Sequence, residues 1–134
     1  MRTAKDVLQQ KEKSFLTVKP DVKVLDALQL MNSVNLSYLV VMDDSGFKGI
    51  FCERDYSRNV ILKGKSSDQT SVIEVMTTDL PMVELTTTVE QCMNILNTRK
   101  VRYLLVFDDQ LFQGVITIND LLRQVIHSRE EVFD

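Results

Sequence analysis

Ser37–Ile61 reads SYLVVMDDSGFKGIFCERDYSRNVI, and Arg102–Ile126 reads RYLLVFDDQLFQGVITINDLLRQVI. The two stretches align without a gap at a single offset, 114 − 49 = 65 residues, set by Gly49 and Gly114. Tyr38 meets Tyr103, Leu39 meets Leu104, Val41 meets Val106, and Asp43-Asp44 meets Asp108-Asp109. Phe47 meets Phe112, Asp55 meets Asp120, Arg58 meets Arg123, and Val60-Ile61 meets Val125-Ile126. Upstream the register holds through Val18 and Val83, Val24 and Val89, and Asn32 and Asn97. Apolar alternation alone would not also match Asp-Asp, Gly, Asp and Arg. The chain is a tandem duplication.

Each copy carries its own sequence of local signals. Phe15 to Val18 and Met82 to Leu85 are short runs rich in β-formers. Val24, Leu25, Leu28 and Met31 recur at helical spacing, as do Val89, Cys92, Met93 and Leu96. The second of these helices is expected to start with a capping box, Thr87 with Glu90, where the first has only Lys23. Leu36 to Met42 and Val101 to Phe107 are dense apolar runs of strand length. Asp44-Ser45-Gly46 predicts a hairpin turn into a third strand, Phe47 to Cys52. Leu111 replaces that glycine in copy two, which predicts a turn of another type. A second helix follows in each copy, Glu53 to Leu62 and Ile118 to Ser128. Thr3 with Asp6 marks a further short helix at the N-terminus. A polar linker, KGKSSDQTS, leads through a short apolar turn at Val72 to Met76. The expected fold is therefore mixed α/β (α+β), two β-α-β-β-α motifs with a short N-terminal helix. Residues 1–66 are expected to hold that helix and the first motif, and 67–134 the linker turn and the second motif, paired into one unit.

Composition narrows the function. With 134 residues, 44% hydrophobic and 26% charged, the chain has an ordinary globular make-up. Sixteen basic against 19 acidic residues give a net charge of −3, with no basic block. That disfavours nucleic acid, whose binding rests on clustered Lys and Arg. Cys52 and Cys92 are too few for a disulfide framework and lack metal-ligand spacing, which points to a reducing cytoplasm. The single histidine, His127, near the C-terminus, removes the commonest general base from any central site. No apolar stretch approaches the roughly 20 residues of a membrane helix. The first thirteen residues, MRTAKDVLQQKEK, have no apolar run of signal-peptide length. No catalytic residue and no metal site is expected.

The most informative segment is Gly114-Val-Ile-Thr117-Ile-Asn-Asp120. It has two readings. In the first, Thr117 caps the last helix and Asp120 bonds back to the Thr117 amide. In the second, the same helix N-terminus offers free N–H groups to a phosphate. The Thr117 hydroxyl then joins those donors, and Asp120 accepts from the paired hydroxyls of a ribose. Asp43-Asp44 and Asp108-Asp109, at the hairpins, are explained by turn chemistry. The methionines at 31, 42, 76, 82 and 93 read as filler of core or cleft.

Two tandem copies, each ending in the pattern Gly-apolar-apolar-Thr/Ser-x-x-Asp (with Cys52 in the Thr/Ser place of copy one), closely resemble the cystathionine β-synthase (CBS) domain pair. The resemblance spans nearly the whole chain. It includes Thr17-Val-Lys-Pro-Asp21, Val75-Met76-Thr77, and Arg102-Tyr103-Leu104 in the slot usually written Arg-His-Leu-Pro. Gly49-Ile-Phe-Cys-Glu-Arg-Asp-Tyr-Ser-Arg58, followed by Lys-Gly-Lys-Ser-Ser, is similar to small stand-alone bacterial CBS-pair proteins. The resemblance implies clefts between the copies that take AMP, ATP or NAD(H), or less often S-adenosylmethionine. It also implies a homodimer, an output directed at a separate and unidentified protein partner, and no required cofactor.

Carried over by position, Thr117 and Asp120 take the phosphate and ribose roles in copy two, and Asp55 takes the ribose role in copy one. Copy one departs from the pattern, because Cys52 stands where a hydroxyl belongs and a thiol is a poor donor. Arg54 and Arg58, four apart, are candidate phosphate donors there, against a reading as solvated salt-bridge partners. Arg102 is a further phosphate candidate. The resemblance places adenine contacts near Thr17, Leu36 with Ser37 and Tyr38, Met82, and Val101 to Tyr103. The alternative for the apolar members is plain core packing. Leu85, in place of the proline found at position 20, is a second departure. A ligand-free dimerisation or protein-interaction module therefore stays open beside the nucleotide sensor. Cys52 at a helix start beside Arg54 is read either as a thiol of lowered pKa or as a small semi-buried filler.

Overall fold

The computed structural model describes residues 1–11 and 15–133, with side chains described as far as Ile126. Helix α1 (Ala4–Gln9) precedes the first copy, which runs β1 (Thr17–Val18), α2 (Val24–Val34), β2 (Tyr38–Asp43), β3 (Gly46–Cys52) and α3 (Glu53–Tyr56). The second copy runs β4 (Met82–Glu84), α4 (Val89–Arg99), β5 (Tyr103–Asp108), β6 (Leu111–Thr117) and α5 (Ile118–Phe133). The expected β-α-β-β-α order thus holds in both. Each copy forms its own three-stranded sheet, in the orders β1-β2-β3 and β4-β5-β6. The first pair in each sheet is parallel and the second antiparallel.

The duplication extends to irregularities. The β2–β3 ladder shifts register between Val41 and Met42, and the β5–β6 ladder between Val106 and Phe107. Helices α2 and α4 both stop on a left-handed residue, Asn35 and Lys100. The hairpins differ as the loss of glycine predicts. In copy one Gly46 takes the positive φ of 117°, while in copy two Asp109 does, at 58°. Asp43 closes the first turn by accepting from the Ser45 amide at 2.8 Å and from the Ser45 hydroxyl at 2.6 Å. Those bonds hold its carboxyl below the usual carboxylate range. Turn chemistry accounts for Asp43.

Helix starts show where local reading slipped. The cap of α4 is Thr88 with Gln91, one residue beyond the expected Thr87 with Glu90. Thr88 Oγ1 accepts from the Gln91 amide at 3.1 Å, and Gln91 Oε1 accepts from the Thr88 amide at 2.9 Å. Thr87 Oγ1 instead accepts from the Glu84 amide at 3.0 Å, at the end of β4. Lys23 then sits at the matching position, since 88 − 23 = 65. Having no side-chain cap, α2 is capped by the linker: its Val24 and Leu25 amides donate to Thr70 and Ser67 carbonyls at 2.8 and 3.0 Å. The last helix of copy one is also altered. Beyond α3 the chain widens into a π turn over Ser57–Ile61, where the Leu62 amide reaches the Ser57 carbonyl at 3.2 Å. In copy two, α5 continues to Phe133, past the expected Ser128. The His127 side chain lies outside the described residues.

Two compact units result, and they do not follow the halves 1–66 and 67–134. One is Phe15–Asp79, and the other joins Met1–Ser14 to Leu80–Asp134. The reason is apolar burial. Ala4 and Val7 of α1 lie in the core with Val83, Cys92, Leu96, Leu104, Val106, Ile116 and Leu121. Val72 and Val75, around a 3₁₀ turn at Val72–Glu74, lie in the core with Val24, Ala27, Met31, Leu39, Val41, Phe51 and Val60. Val7 and Val72 are themselves 72 − 7 = 65 residues apart. Each copy's preceding arm is thus built into the other copy's unit. In the Phe15–Asp79 unit the arm also pairs with β3, Ile50 and Thr77 exchanging amide–carbonyl bonds at 2.9 and 2.8 Å. Gly49 permits that approach, because a Cβ there would stand 2.7 Å from the Thr77 carbonyl oxygen.

Candidate ligand-binding site

In the unit holding copy two, β6 runs straight into α5, and the turn between them presents the conserved-offset pair. Asp120 Oδ2 accepts from the Thr117 amide at 2.9 Å, and the Asp120 amide donates to Thr117 Oγ1 at 3.2 Å. This is a complete capping box, which also fixes both side chains at the start of a helix of 16 residues. Tyr103, half-buried, lies across the ladder from Thr117, so Val101, Arg102 and Tyr103 enter at this same end of the sheet. Met82 lies on the neighbouring strand, paired with Leu105. It is 68% exposed, which places it outside the core and at a position open to a ligand. Arg102 is exposed and Val101 half-buried.

Asp120 has two partners that the sequence reading did not name. It is only 4% exposed, yet Lys11 Nζ stands 2.9 Å from its Oδ2 and Arg123 donates to its Oδ1. Lys11 Nζ also donates to the Val115 carbonyl at 2.9 Å. Buried Gln124 binds the same arm, accepting from Arg2 at 3.0 Å and donating to Gln10. Arg123 was legible, since it aligns with Arg58. Lys11 lies far away in sequence, and only the exchanged arm delivers it.

The unit holding copy one repeats the design with other chemistry. Asp55, 5% exposed, accepts from the Cys52 amide at 2.9 Å through Oδ2. Its Oδ1 accepts from the Thr77 hydroxyl at 2.5 Å. Thr77 therefore does for Asp55, with a neutral hydroxyl, what Lys11 does for Asp120 with a charge. Asn59 donates to the Val75 carbonyl at 3.1 Å, and its counterpart at 59 + 65 = 124 is Gln124. Tyr38, buried, lies across from Cys52, and the Ser37 carbonyl accepts from the Glu53 amide at 3.2 Å. Ser37, Arg54 and Arg58 are exposed, as is Thr17, which pairs with Val40.

Neither cysteine carries a lowered pKa. The Cys52 thiol is pushed up to about 11, first by burial and next by the Asp55 carboxylate beside it. Burial alone pushes Cys92 up to about 11. The effect of the helix start and Arg54 on Cys52 is outweighed, because burial would strip a thiolate there of water and the Asp55 carboxylate would repel it. Both thiols are free. At pH 8 about one such thiol in a thousand is ionised, so native protein is expected to react very slowly with dithiobis(nitrobenzoate). Labelling should speed up tenfold per pH unit towards 11, and be complete at once in denaturant. Complete labelling of folded protein within minutes at pH 8 would contradict this placement.

Among the described residues no cluster of three or more His, Cys, Asp or Glu could hold a metal ion. None of their helices is long and apolar enough to cross a membrane.

Comparison with known proteins agrees with this architecture. The sequence profile of the CBS domain matches residues 4–61 and again 72–127. CBS domain-containing protein CBSX3, mitochondrial, of Arabidopsis thaliana is 33% identical over 138 residues, spanning 96% of this chain and 67% of that protein. Among solved structures, the CBS domain protein NE2398 superposes with a TM-score of 0.86 at 38% identity, covering 93% of this chain and 98% of that one. CBSX2, solved in complex with AMP, superposes with a TM-score of 0.77 at 25% identity, covering 96% and 99%. Two profile matches, one on each copy of an arm-exchanged β-α-β-β-α duplication, place this chain in the CBS domain family.

Proposed function

We propose that this chain is a non-catalytic sensor that binds an adenine nucleotide (AMP, ATP or NAD(H)) and signals by a change of conformation or self-association. The carrying observation is the Thr117–Asp120 pair: a hydroxyl and a buried carboxylate fixed at the start of α5, with Tyr103 beside them. Phosphate suits the helix N-terminus and the Thr117 hydroxyl, and ribose hydroxyls suit the carboxylate. The AMP complex of CBSX2 supports an adenosyl ligand. Arg102 serves the phosphate in this unit, and Arg54 and Arg58 serve it beside Asp55, where Cys52 has no hydroxyl to offer. Ser37, Tyr38 and Thr17 in one unit, and Met82, Val101 and Tyr103 in the other, take the base. Binding matters to a partner only through unequal affinity for two states.

Self-association fits a run of exposed apolar side chains on α5, Ile118, Leu122 and Ile126, spaced four apart on one face. The two free, buried thiols fit a reducing compartment such as the cytoplasm. A second reading, a ligand-free dimerisation or protein-interaction module, is favoured by one observation. Both carboxylates already have protein partners, Asp120 in Lys11 and Arg123, and Asp55 in Thr77.

A thermal-shift panel of AMP, ADP, ATP, NAD, NADH and S-adenosylmethionine separates the two. Ligand at 100 times its dissociation constant is expected to stabilise the protein by about 2.7 kcal/mol. A flat response to every compound, in protein stripped of copurified nucleotide, leaves the interaction module. A response to S-adenosylmethionine alone changes the ligand and keeps the sensor.

A further inference from the structure

The adenosyl reading requires Asp120 to face a sugar diol, and the structure shows that carboxylate already engaged. A carboxylate offers about four acceptor positions, two on each oxygen. On Oδ2 one is taken by the Thr117 amide and the other by Lys11 Nζ, both at 2.9 Å. On Oδ1 Arg123 takes one. One position remains, and a vicinal diol brings two O–H donors. A diol that bridges the carboxylate needs a position on each oxygen, and on Oδ2 the Thr117 amide is fixed in the helix cap, so the Lys11 ammonium must leave.

The two cations are held differently. The Arg123 side chain is 68% exposed and belongs to α5 itself, three residues from Asp120. The Lys11 side chain is 14% exposed and has a second acceptor, the Val115 carbonyl at 2.9 Å. Lys11 is the firmer obstacle. It also lies just beyond α1, whose other end is tied down. The Ala4 and Lys5 amides donate to Thr87 and Leu85 carbonyls at 2.8 and 3.0 Å, and Ala4 and Val7 are buried. Displacement at Lys11 thus acts on the end of an anchored arm. The Asp55 unit lacks this device, because the Thr77 hydroxyl can turn to another acceptor without stranding a charge.

We propose that the Lys11–Asp120 ion pair is a latch on the ribose-binding carboxylate, opened only by a ligand diol that displaces the Lys11 ammonium and so reports occupancy to the N-terminal arm. The proposal rests on the nucleotide reading above. It makes the two units unequal in affinity, with the copy-two site the weaker until the latch opens.

The test measures AMP, ATP, NAD and S-adenosylmethionine binding to wild-type protein and to Lys11→Met, which keeps the methylene stem and removes the charge. The variant is expected to bind a diol-bearing ligand about fivefold tighter, the scale of one partly exposed ion pair. The 2′,3′-dideoxy analogue should show no such gain. In wild-type protein, saturating ligand should raise acetylation of Lys11 by acetic anhydride, read by mass spectrometry. This second readout stands even where the variant folds poorly. Binding by the variant alone also supports the latch. Equal or weaker binding by Lys11→Met, or protection of Lys11 by ligand, overturns the latch and leaves the nucleotide reading in place. No binding of any of the four compounds to either protein overturns both.

Discussion

Asp120→Ala is expected to lower affinity for the adenosyl ligand by about 100-fold or more, the loss of two charge-assisted hydrogen bonds at about 1.5–3 kcal/mol each. The carboxylate is the strongest acceptor that the copy-two capping box offers a diol, because the neutral Thr117 hydroxyl already gives one of its two lone pairs to the Asp120 amide. The substitution also removes the partner of the Thr117 amide, at a stability cost of about 1–3 kcal/mol. Titration calorimetry must therefore be paired with a melting curve that shows folded protein. Asp120→Asn separates the two effects, since its amide oxygen still caps the helix while its NH₂ opposes the diol. The Asn variant should recover the helix-cap share of the stability, though not that of the Lys11 and Arg123 ion pairs, and little of the affinity. Unchanged affinity in Asp120→Ala would falsify the site. Asp55→Ala serves as the comparison and reports how much binding belongs to copy one.

The largest stability effect is expected at Phe51. It is fully buried in the Phe15–Asp79 core, between residues of α2, β2 and the arm that carries Val72 and Val75. Phe51→Ala leaves a cavity that the surrounding core collapses only partly to fill, at a cost of about 3–5 kcal/mol. Domains of this kind hold about 5–15 kcal/mol in total, so the variant should lie close to its unfolding threshold. Leu111→Ala, at an exposed hairpin position, should stay within about 0.5 kcal/mol. Urea midpoints with unchanged slopes give both numbers. A Phe51 variant less than about 1 kcal/mol below wild type would mean that this ring is not a core element.

Much of the architecture was legible because its signals are local. Dense apolar runs and helical spacing gave the strands and helices of both copies, and repetition at one offset removed most ambiguity between them. The hairpins could be told apart by a single glycine. What failed was either a matter of one residue or of long range. Thr87 and Thr88 are both threonines before an apolar helix, and only the exact first turn distinguishes Glu90 from Gln91 as the reciprocal partner. The π turn after α3 has no sequence signature of its own. Cys52 illustrates competing electrostatic effects: helix start and arginine were visible, whereas burial and the Asp55 charge depend on tertiary packing. Of the site, Thr117 and Asp120 were legible as an i, i+3 motif. Lys11 and Thr77 were not, because the arms that carry them pack onto the copy they do not precede.

That crossing of arms has a consequence for how small such a protein can be. A single copy contains a core with a vacancy shaped for Val7 or Val72, and carries on its own N-terminal side a valine meant for someone else. Two unlinked copies would meet both needs at once by trading arms, which is the geometry of a domain-swapped dimer. The 134-residue chain is that exchange made covalent. Copy one finds its arm immediately downstream, within Phe15–Asp79, whereas copy two depends on Met1–Ser14 from the far end of the chain. Gene duplication here did not add a second module to a finished first one; it tied together two incomplete ones.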